Sequence, residues 1–141
     1  MDHEDAKVSS LLGKTMSAIS RGAKDGDDVI RILTMDGGMY MMCHSQDCCE
    51  QVGIESIVGD LTDLIGEPLT LAEEATNEAD SRKGDDSQTW TFYKFATRKG
   101  FVDIRWLGTS NGYYSERVDF VKIRGTFKEE LEFVKLVHGG V

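Results

Sequence analysis

The chain has 141 residues, 40% of them apolar and 29% charged, with a formal net charge of −9. That length predicts one domain, 1–141, with enough chain to bury a core. The charge excludes general nucleic-acid binding, which needs a basic footprint, and no apolar run approaches the roughly 20 residues of a membrane span.

The opening residues MDHEDAK are acidic and lack the apolar stretch of a signal peptide; residues 1–10 are expected to be frayed. Residues 11–20 read as a first strand, and RGAKDGDD after it is a turn signal. VIRILT (29–34) is a second strand, MDGG (35–38) a hairpin turn, and 39–43 its partner, giving a three-strand meander. In SQDCCEQVG (45–53), Asp47 or Ser45 is placed to cap a short helical turn, with Glu50 completing a capping-box-like pair. A short apolar segment follows at 54–58. GDLTDLIG (59–66) reads as one tight helical turn or a loop, and 69–75 fits strand and helix equally. The polar stretch NEADSRKGDDS (77–87) is expected to be a mobile loop.

The clearest alternation runs over 88–123, which holds both tryptophans and three of the four tyrosines. Three antiparallel strands are predicted there. A turn at Lys99–Gly100 pairs Phe95 with Ile104 and Tyr93 with Trp106 on an apolar face, with Lys94 beside Arg105 on the other. A second turn of odd length around Asn111 and Gly112 pairs Trp106 with Val118 and Ile104 with Phe120, and sets Arg105 opposite Asp119. Gly112 then takes a positive φ. TFKEELEFVKLV reads as a C-terminal helix, 126–137, capped by Thr126. The fold class is α+β, a mainly antiparallel meander of hairpins with short helical turns and a C-terminal helix.

No catalytic signature is present. The odd set Cys43, Cys48 and Cys49 argues for reduced thiols and a cytoplasmic setting, since adjacent cysteines do not easily bond each other. His44 with these cysteines, Asp47 and Glu50 is the one metal-like cluster, but it lacks the spaced pairs of a zinc site, and no metal or cofactor is expected. Phosphate-loop glycine motifs are missing. The richest recognition set is Lys94, Arg105, Asn111, Tyr113, Tyr114 and Arg117: arginine grips carboxylate or phosphate, and tyrosine stacks or anchors an interface.

The words HSQDCCE (44–50), GDLTDLIG (59–66), TWTFYK (89–94) and RWLGTSNGYYSE (105–116) together resemble a family of small phage and prophage proteins known only as a domain of unknown function. The resemblance covers about residues 11–121. It implies a viral accessory protein in the bacterial host cytoplasm and carries no catalytic residues to transfer. The expected function is therefore binding: an anti-defence inhibitor that engages a bacterial host defence protein through an acidic surface and the tyrosine-bearing loop. The alternative is a sponge, expected as a homo-oligomer, that sequesters a cyclic or linear nucleotide on Lys94, Arg105 and Arg117. A hydrolase using His44 and Cys48 is the third reading.

Overall fold

Alternating apolar residues decide which strand faces meet. The computed structural model describes residues 2–80 and 87–139. Its strands are β1 (Asp2–Asp5), β2 (Met16–Lys24), β3 (Asp27–Thr34), β4 (Met39–Cys43), β5 (Gln51–Val58), β6 (Leu71–Asp80), β7 (Ser87–Thr97), β8 (Gly100–Ser110) and β9 (Asp119–Arg124), followed by helix α1 (Phe127–His138). They form two antiparallel sheets, ordered β1-β9-β4-β3-β2 and β5-β8-β7-β6. The main core lies between them, with Ile30, Ile32, Met42 and Phe120 of the first sheet packed in one cluster with Tyr93, Phe95, Ile104 and Trp106 of the second.

The meander at the start of the chain is present. Its first strand begins later than expected, because Val8–Leu11 forms a 3-10 turn that buries Val8 and Leu11. Asp25 and Gly26 join β2 to β3 with positive φ at both residues, the backbone that short hairpins favour. Residues 1–10 are not frayed where described. Asp2–Asp5 pairs with β9, and Arg124 closes on Glu4 at 2.6 Å. Backbone pairing holds this edge strand, so its polar side chains gave no sign of it.

The three-strand reading of 88–123 holds for one hairpin only. Thr97 pairs with Gly100, so the turn is Arg98–Lys99, one residue earlier than expected; Tyr93 lies opposite Ile104 and Lys94 opposite Asp103. Moving the turn by one residue changes each partner by two, so the apolar face is unchanged. The third strand, β9, leaves for the first sheet and inserts between β1 and β4. The free edge of β8 is taken by β5, with Ile54 opposite Trp106 and Ile57 opposite Ile104. Trp106–Val118 and Ile104–Phe120 are therefore not strand pairs, and Arg105 does not face Asp119. All four apolar residues still share the core. Burial demanded a common interior, and it is met across the sandwich rather than within one sheet.

Of residues 69–75, which fitted strand and helix equally, 71–75 are strand, the start of β6, and 69–70 precede it. Of the expected loop at 77–87, Asn77 to Asp80 continue that strand and Ser87 begins β7 opposite Asp80, while 81–86 lie outside the described residues. Leu61–Leu64 is the expected helical turn, with Asp60 accepting from Thr62 N. Residue Thr126 caps α1 in a capping box with Glu129. The helix lays Phe133 and Val137 on the outer face of the first sheet, against Ala18, Val29, Leu33, Met39 and Ile123. Each such side chain contributes about 1.5–3 kcal/mol on burial. Among the described residues no helix is long and apolar enough to cross a membrane.

Candidate functional site

The inner face of the second sheet changes character along its length. Tyr93 and Phe95 on β7 and Ile104 and Trp106 on β8 are buried in the core. Continuing along the same face, β7 carries Thr91, Thr89 and Ser87, β8 ends in Ser110, and β6 contributes Glu74, Thr76 and Glu78. Over this polar half the chain forms a cleft of about 1010 Å³, closed on the other side by residues 5–9 and by the segment from Gly112 to Phe120.

Glu116 fixes that segment. The residue is 7% exposed, and its carboxylate accepts from Ser87 Oγ at 3.2 Å, Thr89 Oγ1 at 2.8 Å and Ser110 Oγ. Gly108 makes the approach possible, because a Cβ there would lie 2.6 Å from the Glu116 carbonyl oxygen. At the loop tip Asn111 Oδ1 accepts from Tyr113 N at 2.9 Å, and Gly112 takes φ +88 as the turn requires. Carboxylates from Asp5, Glu74, Glu78, Glu116 and Asp119 line the cleft, against the cations Lys7 and Arg117. Arg117 already pairs with Asp119 at 3.2 Å, so the remaining field is negative. At the inner end the fully buried Tyr93 hydroxyl has no hydrogen-bond partner of ordinary geometry among the described residues. Burial, with the nearby Glu74 carboxylate, pushes its ionisation far up, so it stays a neutral donor.

The six residues expected to form a recognition set do not come together. Tyr114 and Arg117 line the cleft. Asn111 shapes the loop, and Tyr113, 84% exposed, projects from it in an edge-to-face contact with Tyr114. Lys94 and Arg105 occupy the opposite face of the second sheet. Arg105 is bound to Glu55 at 2.8 Å and lies over the Phe92 ring, while Lys94 stands across from Asp103. The cations expected to hold a nucleotide's phosphates thus point to different sides of a sheet, and two of them already have carboxylate partners.

Residues 45–53 form no helical turn. Glu50 is instead the centre of a loop, its buried carboxylate accepting from Asp47 N at 2.8 Å, Cys48 N at 2.9 Å and His44 Nε2 at 2.8 Å. The Cys48 N–H, helped by His44 and the Asp47 N–H, lowers its pKa to about 2. His44 Nδ1 bonds the Arg117 carbonyl at 2.7 Å, tying this loop to the cleft wall. With both ring nitrogens engaged, His44 is a positioning residue and not a free base for Cys48. Cys48 and Cys49 are joined as a vicinal disulfide, which corrects the expectation of reduced adjacent thiols. Among the described residues no group of three or more His, Cys, Asp or Glu side chains is arranged to hold a metal ion.

Sequence reasoning missed Glu116, Glu74, Glu78 and Gly108. One signal was present: Ser87, Thr89 and Thr91 share the parity of Tyr93 and Phe95, so the apolar face had to turn polar at one end.

The fold and the cleft together define a two-layered antiparallel β-sandwich, helix-backed on one side, with an acidic recess at the open end of its core. Within that class, the chain belongs to the family described as domain of unknown function DUF7448, whose model matches residues 9–120. No curated protein and no solved structure matches it.

Proposed function

We propose that this is a non-catalytic binding protein that seats a basic segment of a partner protein in the acidic cleft, with the tyrosine loop as its rim. The observation that carries the reading is the composition of that cleft: with the Arg117–Asp119 pair set aside, the carboxylates of Asp5, Glu74, Glu78 and Glu116 face the single cation Lys7 among the described residues. Such a recess attracts cationic chains and repels nucleotides, in line with the net charge of −9. Tyr113 and Tyr114 suit a protein contact, since aromatic side chains with a polar tip anchor interfaces. The resemblance to phage and prophage proteins supplies the setting: an anti-defence inhibitor acting on a host defence protein in the bacterial cytoplasm.

The test is capture from host lysate by the immobilised protein and by a variant carrying Glu74→Gln and Glu78→Gln, both at exposed positions of β6. The reading expects a stoichiometric partner held by the native chain and lost from the variant and at high salt. A partner held equally by both proteins, or retained nucleotide, would overturn it.

A further inference from the structure

Helix α1 covers only part of the outer face of the first sheet. Beside it lies a second cavity of about 860 Å³, within the usual range of small-molecule sites. Val29, Met41, Val121 and Ile123 line it from the strands, and Phe133 and Leu136 from the helix. Among these apolar residues stands Arg31 of β3, only 6% exposed. Its one described hydrogen bond is a long one, 3.4 Å from Nη2 to the Ala23 carbonyl. No carboxylate among the described residues lies within ion-pair distance of it. Burial lowers the pKa of the guanidinium, and no neighbouring acid raises it back.

Buried charges in proteins are ordinarily paired, because removing one from water without a counter-charge is costly. Two neighbours show that the place is shaped around this side chain. Ser20, cross-strand partner of Arg31, has a buried hydroxyl oxygen with no hydrogen-bond partner among the described residues. Gly22 leaves the space that the guanidinium fills, since a Cβ there would lie 2.4 Å from Arg31 Nη1. A fork of donors beside the apolar side chains of Val29, Met41, Phe133 and Leu136 is complementary to a carboxylate attached to an apolar body. Asp5, Asp25, Asp27, Asp28 and Asp119 line the same cavity, so each further negative charge on a ligand is opposed and a dianion is disfavoured.

We propose that this cavity binds a small monocarboxylate with an apolar body, its carboxylate held by Arg31 and its body against Met41, Phe133 and Leu136. Asp5 and Asp119 line both this cavity and the acidic cleft, while Arg31, Met41, Phe133 and Leu136 line this one alone, and the proposal does not depend on the function proposed for that cleft.

The test is calorimetric titration of the full chain with octanoate, octanol and octyl phosphate, paired with thermal melts. Octanoate is expected to bind at one site, with octanol and octyl phosphate each at least about tenfold weaker. Arg31→Met should abolish octanoate binding while the free protein melts at or above the native temperature, because an unpaired buried charge gives way to an apolar chain. A purely structural arginine would lower that melting temperature instead. Gly22→Ala, which displaces the guanidinium without backbone strain, should weaken octanoate by about tenfold and carries the test if Arg31→Met does not fold. Absence of octanoate binding, equal binding of octanol, tighter binding of octyl phosphate, or native affinity in the variants would each overturn the proposal.

Discussion

Replacing Glu116 probes the part of the structure that builds the cleft. The residue is 7% exposed, and its carboxylate accepts from three hydroxyls on two strands. A hydrogen bond to a charged group contributes about 1.5–3 kcal/mol. The three share one carboxylate, and the freed hydroxyls can rehydrate in the cleft, so their contributions do not add. Glu116→Ala should therefore cost about 3 kcal/mol, and Glu116→Gln, which keeps one acceptor oxygen, about 1 kcal/mol. For a chain of this size each kcal/mol lowers the melting temperature by about 3 °C, giving losses of about 9 °C and 3 °C. Urea denaturation should show the same order at an unchanged slope. Hydrogen exchange should accelerate at the amides of Tyr114, Ser115 and Arg117 in the alanine variant, before it does so in the β7–β8 hairpin. If Glu116→Ala melts within about 0.5 kcal/mol of the native protein, the network does not hold the loop and the cleft wall has another origin.

Other perturbations reach different parts of the account. Gly59 has φ +98, and a Cβ there would lie 2.3 Å from the backbone oxygen of Phe101; Gly59→Ala should cost about 1–3 kcal/mol for the backbone conformation alone and more for the clash, read from the urea midpoint. Phe133, 3% exposed under α1, should cost about 3–5 kcal/mol when replaced by alanine, with loss of helical circular dichroism ahead of the sheet signal. Glu50 makes stability depend on acid. Its folded-state pKa, about 2, lies below the ordinary value of 4.5, so the charged form is the stabilising one. Its contribution is intact above about 4.5 and is lost as pH falls towards 2. Urea midpoints taken across that range should fall less steeply for Glu50→Gln than for the native chain.

Local patterns carried much of this structure into the sequence. The β3–β4 hairpin, the Leu61–Leu64 turn, the Thr126 cap and the apolar face of Tyr93, Phe95, Ile104 and Trp106 all follow from turn chemistry and alternation. The destination of β9 was not legible. Val118 and Phe120 satisfy the same burial pattern whether they extend the second sheet or face it, and the partner that takes the edge of β8 is β5, about fifty residues upstream. Most of the candidate site depended on that one choice. Arg105 was expected opposite Asp119 because β9 was expected beside β8, and the segment 111–118 is free to reach Ser87 and Thr89 only because it crosses between sheets. Glu116 sits in the most distinctive word of the chain, yet its partners are hydroxyls on β7 and on the end of β8, which no spacing rule connects. The strand β1 was hidden for a simpler reason, since an edge strand held by backbone bonds needs no apolar side chains.

The central claim is that the cleft between β6 and the tyrosine loop receives cationic protein chain. It is tested most directly by amide chemical shifts of the native protein titrated with an extended peptide of alternating lysine and threonine, beside its alternating glutamate counterpart. The account predicts saturable shifts from the lysine peptide at Thr76, Glu78, Thr89, Tyr114 and Arg117, weakened by salt and missing with the glutamate peptide. Shifts scattered over the surface, or gathered around Lys94 and Arg105 on the opposite face of the second sheet, would contradict it.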